Sequence, residues 1–303
     1  MLHGIALRYF VEVARSGSLA AASENLHVAV SAISRQIGKL EEDVGAPLFE
    51  RLPRGMVLTE AGELLAEHAR RTLLDADAVL GEISASEARG GTLVRVACTE
   101  GFTRSFLPAV LARHREAAPN ARYALRSGTP SQVEHWITVG EMDVGLAFSS
   151  GSSGSGNTSA LNVVHSSVMP VCALLGADHP LASRASLTLA DLQAYPVALL
   201  ERGTTVRQLF DLCCSTRGVR IEPVMSSNNS AALHAFAALT GAITLGSSVA
   251  LKGLSGESAL VSRPIDEPLF SQRTLQVTTM RDRRLPAVVK TFVDTIVDMI
   301  EHA

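Results

Sequence analysis

The sequence predicts an α/β protein made of three successive segments: a small helical head with a hairpin, one long helix, and an α/β body. Residues 18–58 contain two short amphipathic helices followed by two strand-like runs. Residues 59–89 contain no proline, which favours one long helix. From residue 92 onward, strand-like and helix-like stretches alternate with short connections, as is typical of α/β domains.

The head contains a helix pattern that suits a DNA groove. Ser18 has the residue type that caps a helix start, and apolar residues then recur at helical spacing. In the following helix, Ile33, Ile37 and Leu40 form the stripe that we expect to be buried. The opposite face is small and basic, so it can approach base edges and phosphates. The candidate DNA contacts on this helix are Ser31, Ser34, Arg35, Gln36 and Lys39.

A hairpin follows that helix. Gly45 is a typical helix stop, and residues 47–51 and 56–58 read as two strands joined by a short turn. This order of elements predicts a winged helix-turn-helix over residues 1–59. Arg51 and Arg54 lie on the predicted wing and complete the set of candidate DNA contacts.

These segments resemble those of the LysR-type transcriptional regulators. The matches are paired alanines at 21 and 22, SRQIGKLE at 34–41, GAPLFER at 45–51 and LTEAG at 58–62. The chain departs from the family at 29–31, where it has AVS instead of the frequent SQP, so no operator sequence carries over. The resemblance covers the whole chain. It implies a homodimer or homotetramer that binds an interrupted palindrome in promoter DNA under control of a small-molecule effector, with RNA polymerase as a candidate partner.

Residues 60–89 are predicted to form a linker helix. Apolar and small residues recur along it in alternating steps of four and three, which is the spacing of a coiled-coil seam. Packing against the body of the same chain is one explanation, and pairing with a second copy is the one we favour. In the family this helix mediates dimerisation. The predicted seam consists of Leu65, Ala69, Thr72, Ala76, Val79 and Ile83.

Residues 90–303 are predicted to form an effector-binding domain with a parallel sheet. Predicted strands cover 92–98, 121–126, 142–148, 171–175, 196–200, 218–225, 242–245 and 271–278, and helices 103–116, 131–139, 204–217, 230–240 and 286–300. The serine- and glycine-rich stretch 149–156 reads as a flexible loop. By resemblance, the domain has two lobes like those of periplasmic binding proteins. Lobe I covers about 90–165 and 267–303, and lobe II about 166–266.

Polar residues follow the predicted strand ends, where ligands settle in open α/β sheets. The candidate effector contacts are Thr99, Glu100, Gly101, Phe102, Thr129, Ser149, Arg202, Gly203, Thr204 and Asn228. Of these, the resemblance singles out Thr99, Thr129, Arg202 and Thr204. Glu100 would repel an anionic ligand unless Arg104 or Arg202 pairs with it, so a ligand amine or hydroxyl is the alternative. Turn formation or helix capping is an equal explanation for each polar residue.

Charge, residue spacing and missing motifs limit the functions that the sequence can support. The formal net charge is −3, so attraction to DNA has to come from local clusters of basic residues. The cysteines and histidines show no zinc-like spacing, and no metal or other cofactor is expected. The sequence contains no G-x-S-x-G, G-x-G-x-x-G or P-loop pattern, which argues against an enzyme.

Two other functions compete with that of a regulator. A solute-binding protein for transport fits the two lobes but not the DNA-binding head, and no export signal or membrane span is evident, so we expect a cytoplasmic protein. The second alternative is a cytoplasmic small-molecule or redox sensor, the latter acting through Cys98, that has a DNA-binding head but no classical metabolite effector. Core packing is the simpler explanation for this cysteine and for the adjacent Cys213 and Cys214.

Overall fold

The computed structural model describes residues 4–53, 55–86, 91–149, 160–251 and 260–302. The chain divides into two compact units, one containing the head and the linker helix and the other containing residues 88–281 and 286–303. Each unit has its own hydrophobic core. Arg54 and nearly all of the predicted 149–156 loop lie outside the described residues. Within the described ranges, no helix combines the length and hydrophobicity needed to cross a membrane.

The head contains the two predicted helices and the hairpin, preceded by a further helix, α1 (Ile5–Ser16). Its other elements are α2 (Leu19–Leu26), α3 (Val30–Val44), β1 (Phe49–Leu52) and β2 (Gly55–Leu58). The side-chain oxygen of Ser18 accepts a hydrogen bond from the Ala21 N–H, as expected of a cap on α2. Ile33, Ile37 and Leu40 are buried, which confirms the predicted inner face of α3.

Specific backbone contacts hold the hairpin against the helices. One carboxylate oxygen of Glu41, near the end of α3, accepts hydrogen bonds from the N–H groups of Leu48 and Phe49 at 2.8 and 3.3 Å. Gly55 has a φ of +137°, and a Cβ there would lie 2.5 Å from the carbonyl oxygen of Gly17. Only glycine fits at this turn, which fixes the wing beside the loop between α1 and α2.

The linker helix α4 covers Glu60–Ser86. Its first turns belong to the head, because Ala66 and Ala69 are fully buried in the head core and Leu65 packs against it. Two of the predicted seam residues, Leu65 and Ala69, therefore serve the head itself, which corrects that part of the seam. Val79 and Leu80 are 41% and 57% exposed further along the helix. Nothing is described of the Ile83 side chain.

The body alternates strands and helices. Its elements in chain order are β3 (Leu93–Cys98), α5 (Phe106–Ala117), β4 (Arg122–Ser127), α6 (Pro130–Thr138), β5 (Val144–Ser149), β6 (Leu161–Val168), β7 (Cys172–Gly176), α7 (Leu189–Gln193), β8 (Val197–Leu200), α8 (Thr205–Arg217), β9 (Met225–Ser227), α9 (Ser230–Thr240), β10 (Ile243–Gly246), β11 (Leu260–Pro264), α10 (Pro268–Ser271), β12 (Thr274–Met280) and α11 (Ala287–Glu301). Short 3₁₀ helices cover Glu100–Phe102 and Ser248–Leu251.

The strands form two five-stranded sheets, one in each lobe. Lobe I has the order β4-β3-β5-β12-β6, and lobe II has the order β11-β7-β10-β8-β9. The predicted parallel pairing is confirmed for part of each sheet, but both sheets are mixed, because β12 runs antiparallel to β5 and β6, and β7 runs antiparallel to β10 and β11. The first strand after each crossing between the lobes, β7 in lobe II and β12 in lobe I, is the one that runs opposite to the others in its sheet. The remaining strands, β3 with β4 and β5, and β8 with β9 and β10, are parallel.

Several predicted boundaries also need correction. The strand predicted at 218–225 is limited to β9, because Gly218 ends α8 in a left-handed conformation and Pro223 lacks an N–H for a ladder. The strand predicted at 271–278 starts later, since α10 occupies its first position. The helix predicted from 103 starts at Phe106 after the first 3₁₀ helix. The prediction missed α1, β6, α7, β11 and α10 altogether.

Arg273 joins the two segments that connect the lobes. Its guanidinium donates hydrogen bonds to the carbonyl oxygens of Met169 at 2.9 Å and Pro170 at 3.0 Å. The Met169 N–H donates in turn to the Arg273 carbonyl at 2.8 Å. These contacts place one buried arginine at both crossings between the lobes.

Candidate functional site

The outer face of α3 carries the predicted DNA contacts. Ser31, Arg35 and Lys39 are exposed, while Ser34 and Gln36 are partly buried. Their spacing on one helix follows from the buried stripe on the other side. Arg51 is exposed on β1 of the wing. Within the described part of the chain, none of these basic residues forms an ion pair, so their charges are available to phosphates.

The body contains a cavity of about 340 Å³ between its two lobes. This volume suits a small metabolite. It lies where parallel strands of both sheets end, namely β3 and β4 in lobe I and β8, β9 and β10 in lobe II. The lining residues are Thr99, Glu100, Gly101, Ser127, Gly128, Thr129, Pro130, Gln132, Phe148, Leu200, Thr204, Thr205, Val206, Asn228, Ser230, His234, Leu245, Gly246, Ser247 and Arg273.

Two threonines in the lining are helix caps. The Thr129 hydroxyl accepts from the Gln132 N–H in a capping box at the start of α6. The Thr204 hydroxyl accepts from the Arg207 N–H at the start of α8. Capping therefore accounts for both hydroxyls, although their helix starts still face the cavity.

Three other polar atoms in the lining have no such explanation. Thr99 Oγ1, Glu100 Oε2 and Ser230 Oγ are buried, and none has a hydrogen-bond partner among the described residues. Ser230 is itself only 7% exposed. Leaving a buried polar atom without a partner typically costs about 1–3 kcal/mol. A ligand with matching groups would recover that energy.

His234 and Arg104 meet across the cavity wall. Arg104 Nη1 lies 2.9 Å from His234 Nδ1, and it joins lobe I to α9 of lobe II. Burial, together with the adjacent guanidinium, lowers the pKa of His234 to about 4. The imidazole is therefore neutral at neutral pH. Glu100 Oε2 has no hydrogen-bond partner among the described residues, so neither Arg104 nor Arg202, the two arginines considered as partners for this carboxylate, pairs with it at that oxygen.

Arg273 is 1% exposed and lines the same cavity. Burial lowers the pKa of this guanidinium to about 9, so it stays protonated at neutral pH. Its central carbon lies 4.0 Å from the Phe148 ring centroid. The carbonyl of Phe148 accepts a hydrogen bond at 3.2 Å from the Thr205 hydroxyl of the other lobe. The Arg273 side chain thus contacts the cavity, both crossings and a residue that makes an interlobe hydrogen bond.

The structure places six of the ten predicted effector contacts in the lining: Thr99, Glu100, Gly101, Thr129, Thr204 and Asn228. The other four are corrected. Phe102 is buried and stacks on Phe148 with 4.5 Å between ring centroids. Ser149 pairs with Thr274 in the sheet, and Arg202 and Gly203 are exposed outside the described lining.

The sequence prediction missed Ser230, His234 and Arg273. Ser230 could have been found, since it opens a helix that follows a predicted strand end. No local pattern marks Arg273, because its burial depends on carbonyls about a hundred residues earlier in the chain.

Cys98 lies at the end of β3 and is fully buried. Burial, with the Glu100 carboxylate nearby, raises the pKa of this thiol to about 12. A redox-sensing cysteine requires an accessible thiolate, so the redox alternative is not favoured. Cys213 and Cys214 are also buried in α8, as expected for packing residues.

Comparisons with known families match both units. The model of the bacterial regulatory helix-turn-helix protein, lysR family, matches residues 5–63. The model of the LysR substrate binding domain matches residues 87–301. The regulator AlsR of Bacillus subtilis (strain 168) is 29% identical over 71% of this chain and 70% of its own length.

Solved structures of full-length regulators share the fold. A full-length OxyR variant from Pseudomonas aeruginosa has a TM-score of 0.69 at 19% identity, covering 97% of this chain and 95% of its own. CbnR in complex with its target DNA has a TM-score of 0.54 at 21% identity, covering 97% and 98%. These likenesses support the fold, and the family models cover both the head and the body. The chain belongs to the LysR family of transcriptional regulators.

Proposed function

We propose that this regulator binds an interrupted palindrome in promoter DNA as a homodimer or homotetramer, and that a small molecule in the interlobe cavity changes that binding. One observation carries the proposal: a chain with a winged helix-turn-helix also has a cavity whose buried Thr99, Glu100 and Ser230 atoms lack partners among the described residues. Because the target is promoter DNA, the proposal places the protein in the cytoplasm. RNA polymerase is a further partner in this proposal.

The DNA contacts divide into two roles. Arg35 is exposed on the outer side of α3, and Gln36 is partly buried next to it. The paired donors of Arg35 and the amide donor and acceptor of Gln36 suit base edges. Lys39 and Arg51 are exposed cations that suit phosphates, and Arg54 is assigned the same role from the sequence. Base contacts specify a sequence, whereas phosphate contacts strengthen binding to any DNA.

The linker helix supplies the proposed contact between copies. Leu64, Val79 and Leu80 are 70%, 41% and 57% exposed on α4. Exposed apolar residues at this density on one helix favour a partner helix. A two-fold pair presents two heads to two half-sites, which is why the proposed operator is a palindrome.

Coupling to the ligand would pass through contacts between the lobes. Arg104 with His234, and Thr205 with Phe148, join the lobes at the cavity. A ligand that binds one arrangement of the lobes more tightly shifts the population toward it. The ligand then changes DNA affinity by the same factor by which DNA changes ligand affinity, because the coupling free energy between two sites is reciprocal.

The first experiment is a footprint and gel-shift titration on the DNA that flanks the regulator's own gene, at fixed salt and with random competitor. We expect protection of two half-sites. Arg35→Ala should weaken binding to that site by about 1–3 kcal/mol and reduce discrimination against random DNA. Arg220→Ala removes an exposed arginine from the body and is the matched control.

Two results would count against the proposal. Equal affinity for the flanking DNA and for every promoter-sized fragment of a genomic library would remove sequence-specific binding. Unchanged DNA affinity, footprint and bending in the presence of a ligand shown to occupy the cavity would remove the coupling.

A further inference from the structure

The cavity is lined by formal charges of both signs. Among its described lining residues, Glu100 is the one acid and Arg273 the one arginine or lysine. A ligand that carries only a carboxylate would face the Glu100 carboxylate, and a ligand that carries only an amine would face the Arg273 guanidinium. A ligand with both groups is complementary to the two.

The acidic end needs a hydrogen-bond donor. Glu100 Oε2 is buried and has no partner in the described ranges, and the same holds for the neighbouring Thr99 Oγ1. An ionised carboxylate can only accept hydrogen bonds, and an ammonium group supplies three donors. A hydrogen bond between these two charged groups is among the stronger kinds in proteins.

The basic end needs an acceptor. The Nε–H group and one N–H of Nη2 of Arg273 donate hydrogen bonds to the carbonyl oxygens of Met169 and Pro170. The remaining three of its five N–H groups have no acceptor among the described residues. Ser230, 7% exposed with an unpartnered hydroxyl, lies at the first residue of α9, where the helix N–H groups favour an anion. A carboxylate is the group that matches these donors.

More of the cavity surface is apolar than polar. Phe148, Leu200, Val206 and Leu245 contribute apolar side chains to a volume of about 340 Å³. His234 adds no charge, since burial and Arg104 lower its pKa to about 4. The ligand should therefore be small, with a hydrocarbon part beside its two charged groups.

We propose that the cavity binds a small apolar amino acid, with its ammonium group on Glu100 and its carboxylate on Arg273 and Ser230. This inference rests on the proposed function, because it names the ligand class of the same site. The probes include an α-amino acid and an ω-amino acid, which differ in the spacing between the ammonium and carboxylate groups.

The test is calorimetric titration of the full chain with matched probes. One set is leucine, 4-methylpentanoate and 3-methylbutylamine, and the second is 5-aminopentanoate, pentanoate and pentylamine. In at least one set the amino acid should bind about tenfold or more tightly than both relatives that lack one charge, since each relative leaves one buried group unpaired.

A charge-removing variant gives a sharper result. Glu100→Gln should weaken binding of the amino acid about tenfold or more, and should leave unchanged or strengthen binding of the plain carboxylate. Ser230→Ala should weaken both carboxylate-bearing probes and leave the amine unaffected. Glu116→Gln, an exposed change of the same kind on α5, should alter neither. If Glu100 had only a structural role, Glu100→Gln would weaken binding of the amino acid and of the plain carboxylate alike.

The inference is overturned if, in both probe sets, the plain carboxylate or the plain amine binds as tightly as its amino acid. It is also overturned if Glu100→Gln leaves amino-acid affinity unchanged, or if no probe binds. None of these outcomes touches the proposed function, which fails only in the DNA and coupling experiments. A ligand of another class that binds the cavity and alters the footprint would overturn the amino-acid inference and leave the proposed function in place.

Discussion

Arg104 and His234 are 130 residues apart in the chain, and Arg104 Nη1 lies 2.9 Å from His234 Nδ1. Because an arginine can only donate, Nδ1 must accept, and the ring proton is assigned to Nε2. This tautomer requires an uncharged ring. The contact between the lobes therefore depends on the protonation state of one histidine.

The first prediction concerns stability against pH. The pKa of His234 is about 4 in the folded chain, below the ordinary value of 6.5. As the pH falls, the unfolded chain takes up this proton first, so folding stability decreases between pH 6.5 and 4. The expected loss from this one residue is about 3 kcal/mol. It is measured by urea unfolding, followed through the single tryptophan, Trp136, which lies on α6 of the body.

Two histidine variants isolate that contribution. His234→Gln keeps an acceptor for Arg104 but cannot titrate, so its stability should fall less steeply between pH 6.5 and 4 than that of the parent chain. His135→Gln changes an exposed histidine on α6 and should keep the full slope. Identical slopes for all three proteins would contradict the assignment.

The second prediction concerns Arg273. Arg273→Met fills a similar volume but leaves the Met169 and Pro170 carbonyls without their donors. We expect the body to lose about 1–3 kcal/mol of unfolding free energy, because the Met169 carbonyl becomes an unpaired buried acceptor, which typically costs that much. The Pro170 carbonyl belongs to an exposed residue and adds less. The control is Arg220→Met, whose exposed ion pair with Glu222 should contribute less than about 1 kcal/mol. Equal stabilities for the two variants would show that the crossings do not need the arginine.

The third prediction contrasts two glycines in the head. A Cβ on Gly62, at the start of α4, would overlap the carbonyl oxygen of Leu48, so Gly62→Ala should destabilise the head by about 1–3 kcal/mol. A Cβ on Gly38 in α3 meets nothing within 4 Å. Gly38→Ala should stabilise the head by about 0.5–1 kcal/mol through helix propensity.

Hydrogen exchange of head peptides in the intact protein measures both changes. Faster exchange across the head is expected for Gly62→Ala and slower exchange for Gly38→Ala. If both variants exchange at the parental rate, α4 does not stay close in solution to Leu48, the residue before β1.

Cys98 provides the fourth prediction. With a pKa of about 12, its thiol should be almost entirely protonated at neutral pH. We expect iodoacetamide to modify it at least about a hundredfold more slowly than free cysteine in the folded protein, as judged by mass spectrometry of the peptide that contains it. Unfolding in urea should restore the ordinary rate. Rapid modification of the folded chain would revive the redox alternative.

Local signals account for what the sequence predicted well. Ser18 caps α2 and the Ile33, Ile37 and Leu40 stripe is buried, because capping and helical periodicity act within a few residues. Thr129 carried a local signal of its own: Gln132 three residues later is the capping-box pattern, which accounts for its hydroxyl.

The prediction errors arose where strand direction or burial depends on contacts with distant parts of the chain. The direction of β12 depends on its pairing with β5 and β6, which no stretch of its own sequence reveals. An arginine is ordinarily exposed, so the complete burial of Arg273 could not be read from its neighbours. Arg202 has the charge expected for a ligand contact, but the turn after β8 leaves it exposed.

The last prediction tests the linker helix. Val79 lies in the predicted seam and is 41% exposed in the single chain. If α4 pairs with a second copy, Val79→Glu places two carboxylates in the apolar contact, where burying unpaired charge is unfavourable. We expect sedimentation velocity at micromolar concentration to show a smaller species than the parent protein, and footprinting to show weaker protection of both half-sites.

A charge change elsewhere on α4 separates pairing from a general effect of charge. Glu67→Lys alters an exposed residue outside the seam and should leave the sedimentation coefficient unchanged. If Val79→Glu also sediments like the parent, the distal half of α4 does not hold the subunits together. The exposed Val79 and Leu80 would then face solvent in the assembly, and any two-fold pairing of the heads would have to arise from other surfaces of the chain.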